Sequence, residues 1–289
     1  MKEYTHEQIR NIAFIGHGGS GKTSLSELML FTAGEINRIG KIDEGNTVSD
    51  YNSNEIERKI SISAALLHLE WGNTKINFID TPGYSDFIGQ VVGSLHVVDT
   101  VISVIKSAEG VEVGTEVSWS LVKKNNVPAA IIINKIDNEH SRFFETIQQA
   151  KSKLSNDITV VTFPVKEGLN VEVVVDLVKM KAYKYSAAGS KKVDEIEIPD
   201  EVKAQAEKLR EELIEKVAES DEDLINKFFE EGTLSDEEIK NGLKKAVIKG
   251  AFIPAFAVSA SRAIGINNFL DFASNYSPIL PKANRLPRL

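Results

Sequence analysis

Eight residues near the start of the chain constrain its fold more than any others: Gly16-His17-Gly18-Gly19-Ser20-Gly21-Lys22-Thr23, an instance of G-x-x-x-x-G-K-[ST]. A short β-rich run, NIAFIG from Asn11, stops at these glycines, and KTSLSELMLFT from Lys22 then repeats apolar residues at helical spacing. A strand that ends in a glycine loop and restarts as a helix points successive backbone N–H groups, and the positive end of the helix, at one spot. That geometry holds a polyphosphate. In such a cradle His17, Gly18, Gly19, Ser20, Gly21 and Ser24 would surround the phosphates and Lys22 would neutralise β- and γ-phosphate charge. Thr23 would offer its hydroxyl to Mg²⁺, and His17 fits loop packing better than catalysis. The simpler alternative is a glycine-rich turn that only starts a helix; the strand-loop-helix placement weighs against it.

The rest of the chain supplies the sheet this loop requires. Runs at 63–71 and 74–80 are strand-like and separated by Gly72-Asn73, a dipeptide that tolerates positive φ, so they should form an antiparallel hairpin. Apolar strands follow at 100–106 and 129–134, with helical stretches at 87–97, 112–125 and 142–154. Alternation of this kind predicts an α/β fold with a mostly parallel, doubly wound sheet, the P-loop class. From about Asn156 the pattern changes to strand-rich segments at 159–165 and 171–185 and then to helices over 200–250. There Val202, Ala206, Leu209, Leu213 and Val217 form one apolar face, and Ser235 with Glu238 makes a capping box. A buried strand at 253–258 and a helix at 267–275 resume the first pattern. The expected division is a nucleotide-binding domain from 1–155 and 253–280, an inserted α+β subdomain at 156–252, and a Pro-rich linker to further domains at 281–289.

Two more motifs define the ligand. Asp80-Thr81-Pro82-Gly83 ends an apolar strand, where Asp80 can reach the same Mg²⁺ and Gly83 can bring its N–H to a γ-phosphate, so that loss of the phosphate frees the loop. Asn134-Lys135-Ile136-Asp137 matches N-K-x-D, and Asp137 can accept from N1–H and the 2-amino group of guanine, donors that adenine lacks. Lys135 would lay its stem over the ring, Asn134 would tie loops together, and Ser259-Ala260-Ser261 would bring a backbone N–H to guanine O6. Asp137 and Ser259 stand 122 residues apart, although one helix and one strand would connect them, so most of that interval is extra. The ligand expected is GTP or GDP with Mg²⁺.

Composition narrows the class further. There are no cysteines, which removes disulfides and thiolate zinc sites, and the five histidines have no metal-ligand spacing. No segment approaches the ~20 apolar residues that cross a bilayer, and no signal-like start is present, so a cytoplasmic location without a membrane partner is expected. The net charge of −8 is concentrated at 194–248, which carries 18 acidic and 8 basic side chains. That balance argues against broad electrostatic capture of nucleic acid by this segment and suits a solvated helical surface or one that meets a basic partner; no direct sequence-specific nucleic-acid binding by this domain is expected.

The motifs together resemble elongation factor G, and more closely its second-type paralogues. The likeness runs over nearly the whole chain: the phosphate loop, Glu57–Ile62 (ERKISI), Asp80–Phe87 (DTPGYSDF), Gly110–Glu112 with Thr115, Glu116 and Trp119, the N-K-x-D motif, and VDLVKMKA from Val175. The last lies in the insertion and is absent from general GTPases. The resemblance implies ribosome binding, GTP hydrolysis stimulated there, and contact of the insertion with stalk proteins of the large subunit. It also implies that Ser61 stands where the family has a Mg²⁺-binding threonine, which a serine hydroxyl can replace. Three departures fall at the catalytic end: Gly18 for an apolar residue, Gly19 for aspartate, and Tyr84 for histidine. A phenol offers no imidazolium near neutral pH, yet it can orient a water, and phosphoryl transfer depends mostly on positioning and charge. The catalytic set expected is therefore Tyr84, Lys22 and Gly83, with turnover slowed or reshaped. A nucleotide-sensing module with little turnover is the alternative; an ATP-using kinase would have to ignore the N-K-x-D motif.

Overall fold

The computed structural model describes residues 2–185 and 193–278; the expected linker at 281–289 lies outside them. Strand β1 (Ile9–Ile15) has four consecutive residues, Ile12 to Ile15, with no exposure at all. A strand with no polar face must be covered on both sides, which places it inside a parallel sheet. It runs parallel between β3 (Thr74–Asp80) and β4 (Thr100–Lys106). Strand β2 (Ala65–Trp71) pairs antiparallel with β3, Trp71 facing Thr74 across the Gly72 turn, as the hairpin dipeptide predicts. With β5 (Ala129–Asn134), β6 (Ile158–Val160) and β11 (Ile253–Ala257), the seven-stranded order is β2-β3-β1-β4-β5-β11-β6.

Helices α1 (Lys22–Ala33) and α9 (Ile266–Tyr276) pack together, as do α3 (Ile88–Leu95) and α4 (Val113–Asn125). Helix α5 (Phe143–Lys153) packs beside β5 and β6. This is the mostly parallel P-loop fold expected. Residues 34–62 add a short helix, α2 (Ser53–Arg58), inside a long loop held by two buried carboxylates. Glu27 on α1 accepts from the N–H groups of Gly40 (2.8 Å) and Val48 (2.5 Å). Glu55 on α2 accepts from Ile62 and Ser63, each at 2.9 Å.

A second, antiparallel sheet has the order β10-β9-β8-β7, from β7 (Thr162–Pro164), β8 (Val173–Asp176), β9 (Lys181–Tyr185) and β10 (Val193–Ile196). The chain crosses between sheets at one residue. Val161 donates its N–H to Ala255 O of the first sheet (2.8 Å) and accepts on its carbonyl from Leu177 N, just past the end of β8 in the second (2.9 Å). Strand β6 thus joins the main sheet although it lies beyond the change of sequence pattern at 156. Helices α6 (Asp200–Ala218), α7 (Glu222–Glu231) and α8 (Asp236–Lys249) follow. On α6, Val202, Ala206, Leu213 and Val217 are buried and Leu209 is half-buried, and the Ser235–Glu238 capping box opens α8.

The VDLVKMKA stretch is a joint between the two parts. Asp176 accepts from Asn268 Nδ2 of α9 (3.0 Å), whose Oδ1 accepts from Tyr185 Oη (2.8 Å). Asp271, also on α9, accepts from Lys179 Nζ (2.7 Å) and from the Trp71 indole (2.9 Å).

Candidate functional site

The phosphate loop leaves β1 at Ile15 and enters α1 at Lys22, so its backbone crosses the carboxyl end of the central strand. Lys22 is 5% exposed, and its ammonium donates to the carbonyls of Gly16 and His17, both at 3.0 Å. Burial pushes its pKa down to about 8, against the pull of Asp80 and Asp50. A buried cation whose bonds go to neutral carbonyls is an electrostatic socket for an anion. Gly83 lies directly above it: a β-carbon there would stand 2.5 Å from Lys22 Nζ and 2.7 Å from Gly18 N. Because the Gly18 atoms it would meet are backbone, a side chain at position 83 has no room, and Gly83 lines the same cleft as Lys22.

Tyr84 follows, about half exposed, with its ring against Gly18. A β-carbon at position 18 would stand 3.0 Å from Cζ and 3.2 Å from both Cε atoms. Two of the residues in which the chain departs from its resemblance family are thus in contact. On its other side Tyr84 borders an apolar cleft with Pro82, Ile88 and Val91, closed by Val113 and Val117 of α4. His17 Nε2 stands 3.5 Å from Glu112 Oε1 at the start of α4.

Beside Lys22, hydroxyls and carboxylates converge. Asp80 Oδ2 accepts from Thr23 Oγ1 (2.8 Å) and Ser49 Oγ (3.0 Å), and Thr23 Oγ1 is 3.1 Å from Ser61 Oγ. Asp80 Oδ1 and Asp50 Oδ2 are buried without a partner among the described residues. Burial pushes Asp80 up to about 6 and raises Asp50 as well. Two under-coordinated carboxylate oxygens among three hydroxyls are a hard-oxygen donor set suited to Mg²⁺ with a phosphate completing it. No group of three or more His, Cys, Asp or Glu with metal-binding geometry occurs among the described residues.

The base motif closes a second cleft. Asn134 Nδ2 donates to Ser20 O (2.9 Å), and its Oδ1 accepts from Ala260 N (3.1 Å), so one amide ties the phosphate loop to the loop after β11. Gly21, at φ 94°, is required there, because a β-carbon would overlap Asn134 Nδ2. Asp137 Oδ2 accepts from Ser261 Oγ (2.6 Å), while its Oδ1 is buried and unpartnered among the described residues. Lys135 holds a left-handed backbone at φ 61°, an uncommon conformation for a non-glycine residue and one that gathers at functional sites.

The two clefts adjoin. One is lined by Gly21, Ser24, Asn134, Lys135, Asp137, Ala260 and Ser261. The other runs over Gly18, Gly19, Lys22, Thr23, Ser61 and Gly83, and Gly21, Ser24 and Lys135 line both. Most of the residues expected from sequence line these two clefts; Asp80, Ser20 and Ser259 stand behind the lining, bonded to Thr23, Asn134 and Arg262, and His17 lines the neighbouring apolar cleft instead. Ser49, Asp50, Glu27 and Glu55 carry no such sequence signal; they belong to or hold the loop over 34–62, where no local periodicity announces them.

The model of the elongation factor Tu GTP binding domain matches residues 7–279. Elongation factor G of Thermotoga petrophila is 36% identical over 272 residues, which cover 94% of this chain and 39% of that protein. The same figures hold for elongation factor G of Thermotoga maritima. A crystal structure of a Thermus thermophilus protein superposes with a TM-score of 0.88 at 28% identity, over 94% of this chain and 41% of the other. The chain thus spans about two fifths of the length of these relatives. Among the described residues no helix is long and apolar enough to cross a membrane.

Proposed function

This chain belongs to the elongation factor Tu GTP-binding domain family, as an elongation factor G-like GTP-binding domain, and on that premise we propose how its residues bind and hydrolyse GTP. The observation that carries the reading is the pair of adjoining clefts, one ending at a carboxylate oxygen, Asp137 Oδ1, that has no partner among the described residues, and the other at a buried ammonium. We assign guanine to the first, through Asp137, Lys135, Asn134 and the backbone of Ser259–Ser261, and the phosphates to the second. There Lys22 and the amides from His17 to Ser24 neutralise charge, and the Gly83 N–H donates to the γ-phosphate. Thr23, Ser61 and Asp80 would hold Mg²⁺, which when bound draws charge from the β- and γ-oxygens. Tyr84 orients water for in-line attack on the γ-phosphorus, and the bond to the β-γ bridging oxygen breaks to leave GDP and phosphate.

We assign residues 1–155 and 253–280 to the nucleotide-binding domain, 156–252 to the insertion, with β6 lent to the main sheet, and 281–289 to a linker to further domains. We infer further, from the resemblance to elongation factor G, that the whole protein acts on the ribosome, that hydrolysis is stimulated there, and that the insertion meets stalk proteins. A second reading, a nucleotide sensor with little turnover, is favoured by the Tyr84 ring seated on the phosphate loop at Gly18.

The deciding measurement is GTP turnover of the natural full-length protein with and without ribosomes, for the native sequence and for Tyr84→His. Phosphate release above the ribosome background supports the hydrolytic reading. No release, with GTP recovered intact from the protein after long incubation, supports the sensor.

A further inference from the structure

The turn Glu167-Gly168-Leu169, between β7 and β8, lies behind the base-reading cleft and lines neither part of it. It is bonded to both loops that form that cleft. Gly168 N donates to Ile136 O (2.9 Å), the carbonyl between Lys135 and Asp137. Leu169 O accepts from Arg262 Nη1 (2.7 Å), and Arg262 N in turn donates to Ser259 Oγ (3.1 Å). Glu167 Oε2 accepts from Ser141 Oγ (2.7 Å) and from Phe143 N (2.6 Å), the first residue of α5, so it fixes the chain that leaves the N-K-x-D motif. Val171, fully buried, anchors the turn in the core.

At the mouth of the cleft the two loops touch through Ser261 and Asp137. Behind it Ala260 N donates to Asn134 Oδ1 (3.1 Å) and Ile136 N donates to Val258 O at the long distance of 3.4 Å; the turn adds a second tie, from the Ile136 carbonyl through Gly168 and Leu169 to Arg262. A bidentate contact from a carboxylate to a base loses strength with shifts of a few tenths of an ångström, so whatever fixes the Ile136 peptide fixes selectivity. We propose that the Glu167–Leu169 turn is a positioning element for guanine recognition, through which the inserted subdomain sets how Asp137 meets the base. The proposal rests on the guanine reading given above.

The test compares binding of GDP with that of IDP, which lacks the 2-amino group that Asp137 reads, in the natural full-length protein and in Arg262→Ala and Glu167→Ala. Expected is a GDP-over-IDP preference that falls at least about fivefold in each variant, with faster GDP dissociation and with partial recovery in Glu167→Gln, which keeps an acceptor. Arg262→Ala removes one exposed-side bond and keeps the turn's backbone, so it stands as the test if Glu167→Ala does not fold. An unchanged preference in the folded variants, or an equal loss for both nucleotides, overturns the proposal. A native protein that binds GDP no better than IDP or ADP overturns the guanine reading itself, and the proposal with it.

Discussion

The ring of Tyr84 rests on the bare backbone of Gly18, in the space where any side chain at position 18 would have to stand. The two positions are therefore coupled: with Tyr84 in this pose a β-carbon at position 18 would press within 3.0 to 3.2 Å of the ring, so a side chain there has to displace it. Gly18→Val should force the ring off the loop and change the rate of GTP hydrolysis, while in a Tyr84→Ala background the same substitution should do little. A double-mutant cycle on turnover should return a coupling of about 0.5–3 kcal/mol. Additive effects would mean that the contact has no part in the chemistry.

Asp80 gives a pH dependence with a definite sign. Its carboxyl is pushed up to about 6 in the folded, metal-free chain, from the ordinary value of 3.8. Between those values the folded state holds a proton that the unfolded state has released, so the ionised, buried group costs stability above pH 6, and that cost is relieved as the pH falls through 6. Mg²⁺ needs the ionised form and reverses the preference. The rise in melting temperature produced by Mg²⁺ with GDP should therefore shrink between about pH 7.5 and about pH 5.5, and thermal denaturation with and without the metal checks it.

Asp137→Ala should remove two hydrogen bonds from a charged acceptor, at about 1.5–3 kcal/mol each. GDP affinity should fall by about two to four orders of magnitude with little change for ADP. Competition binding with both nucleotides measures this; an equal loss for both would move base recognition elsewhere.

Glu27 makes a prediction about the loop over the phosphates. Its two oxygens accept from the amides of Gly40 and Val48, and an amide side chain can accept through only one of them. Glu27→Gln should loosen residues 40–50, raising hydrogen exchange at those two amides by about tenfold or more while α1 keeps its protection. Exchange that is unchanged would show the loop is held by other contacts.

Legibility followed the range of the interactions. The phosphate loop, the Gly72-Asn73 hairpin, the Ser235 capping box and the N-K-x-D strand end are made by residues within a few positions of one another, and each reads directly from local chemistry. The loop over 34–62 is not of that kind. It is ordered because Glu27 and Glu55, in helices, satisfy backbone donors that lie from 7 to 21 residues away, and a glutamate that does this looks in sequence like any solvated one. Ser49 and Asp50 reach the cation pocket only as a result. The contact of Tyr84 with Gly18 is hidden for the same reason: each departure is visible in the sequence, and their meeting across 66 residues is not.

Val161, between β6 and β7, is bonded to both halves of the molecule: its N–H donates to β11, the strand that runs on to Ser259, and its carbonyl accepts from Leu177 within VDLVKMKA. A rigid lever has a fulcrum, and this is where the molecule has put one: on the base side of the nucleotide and far along the chain from the phosphate loop. On the reading proposed above, a pull on the inserted subdomain would reach the Asp137 side of the site before it reached the phosphate loop at Gly18 and Tyr84.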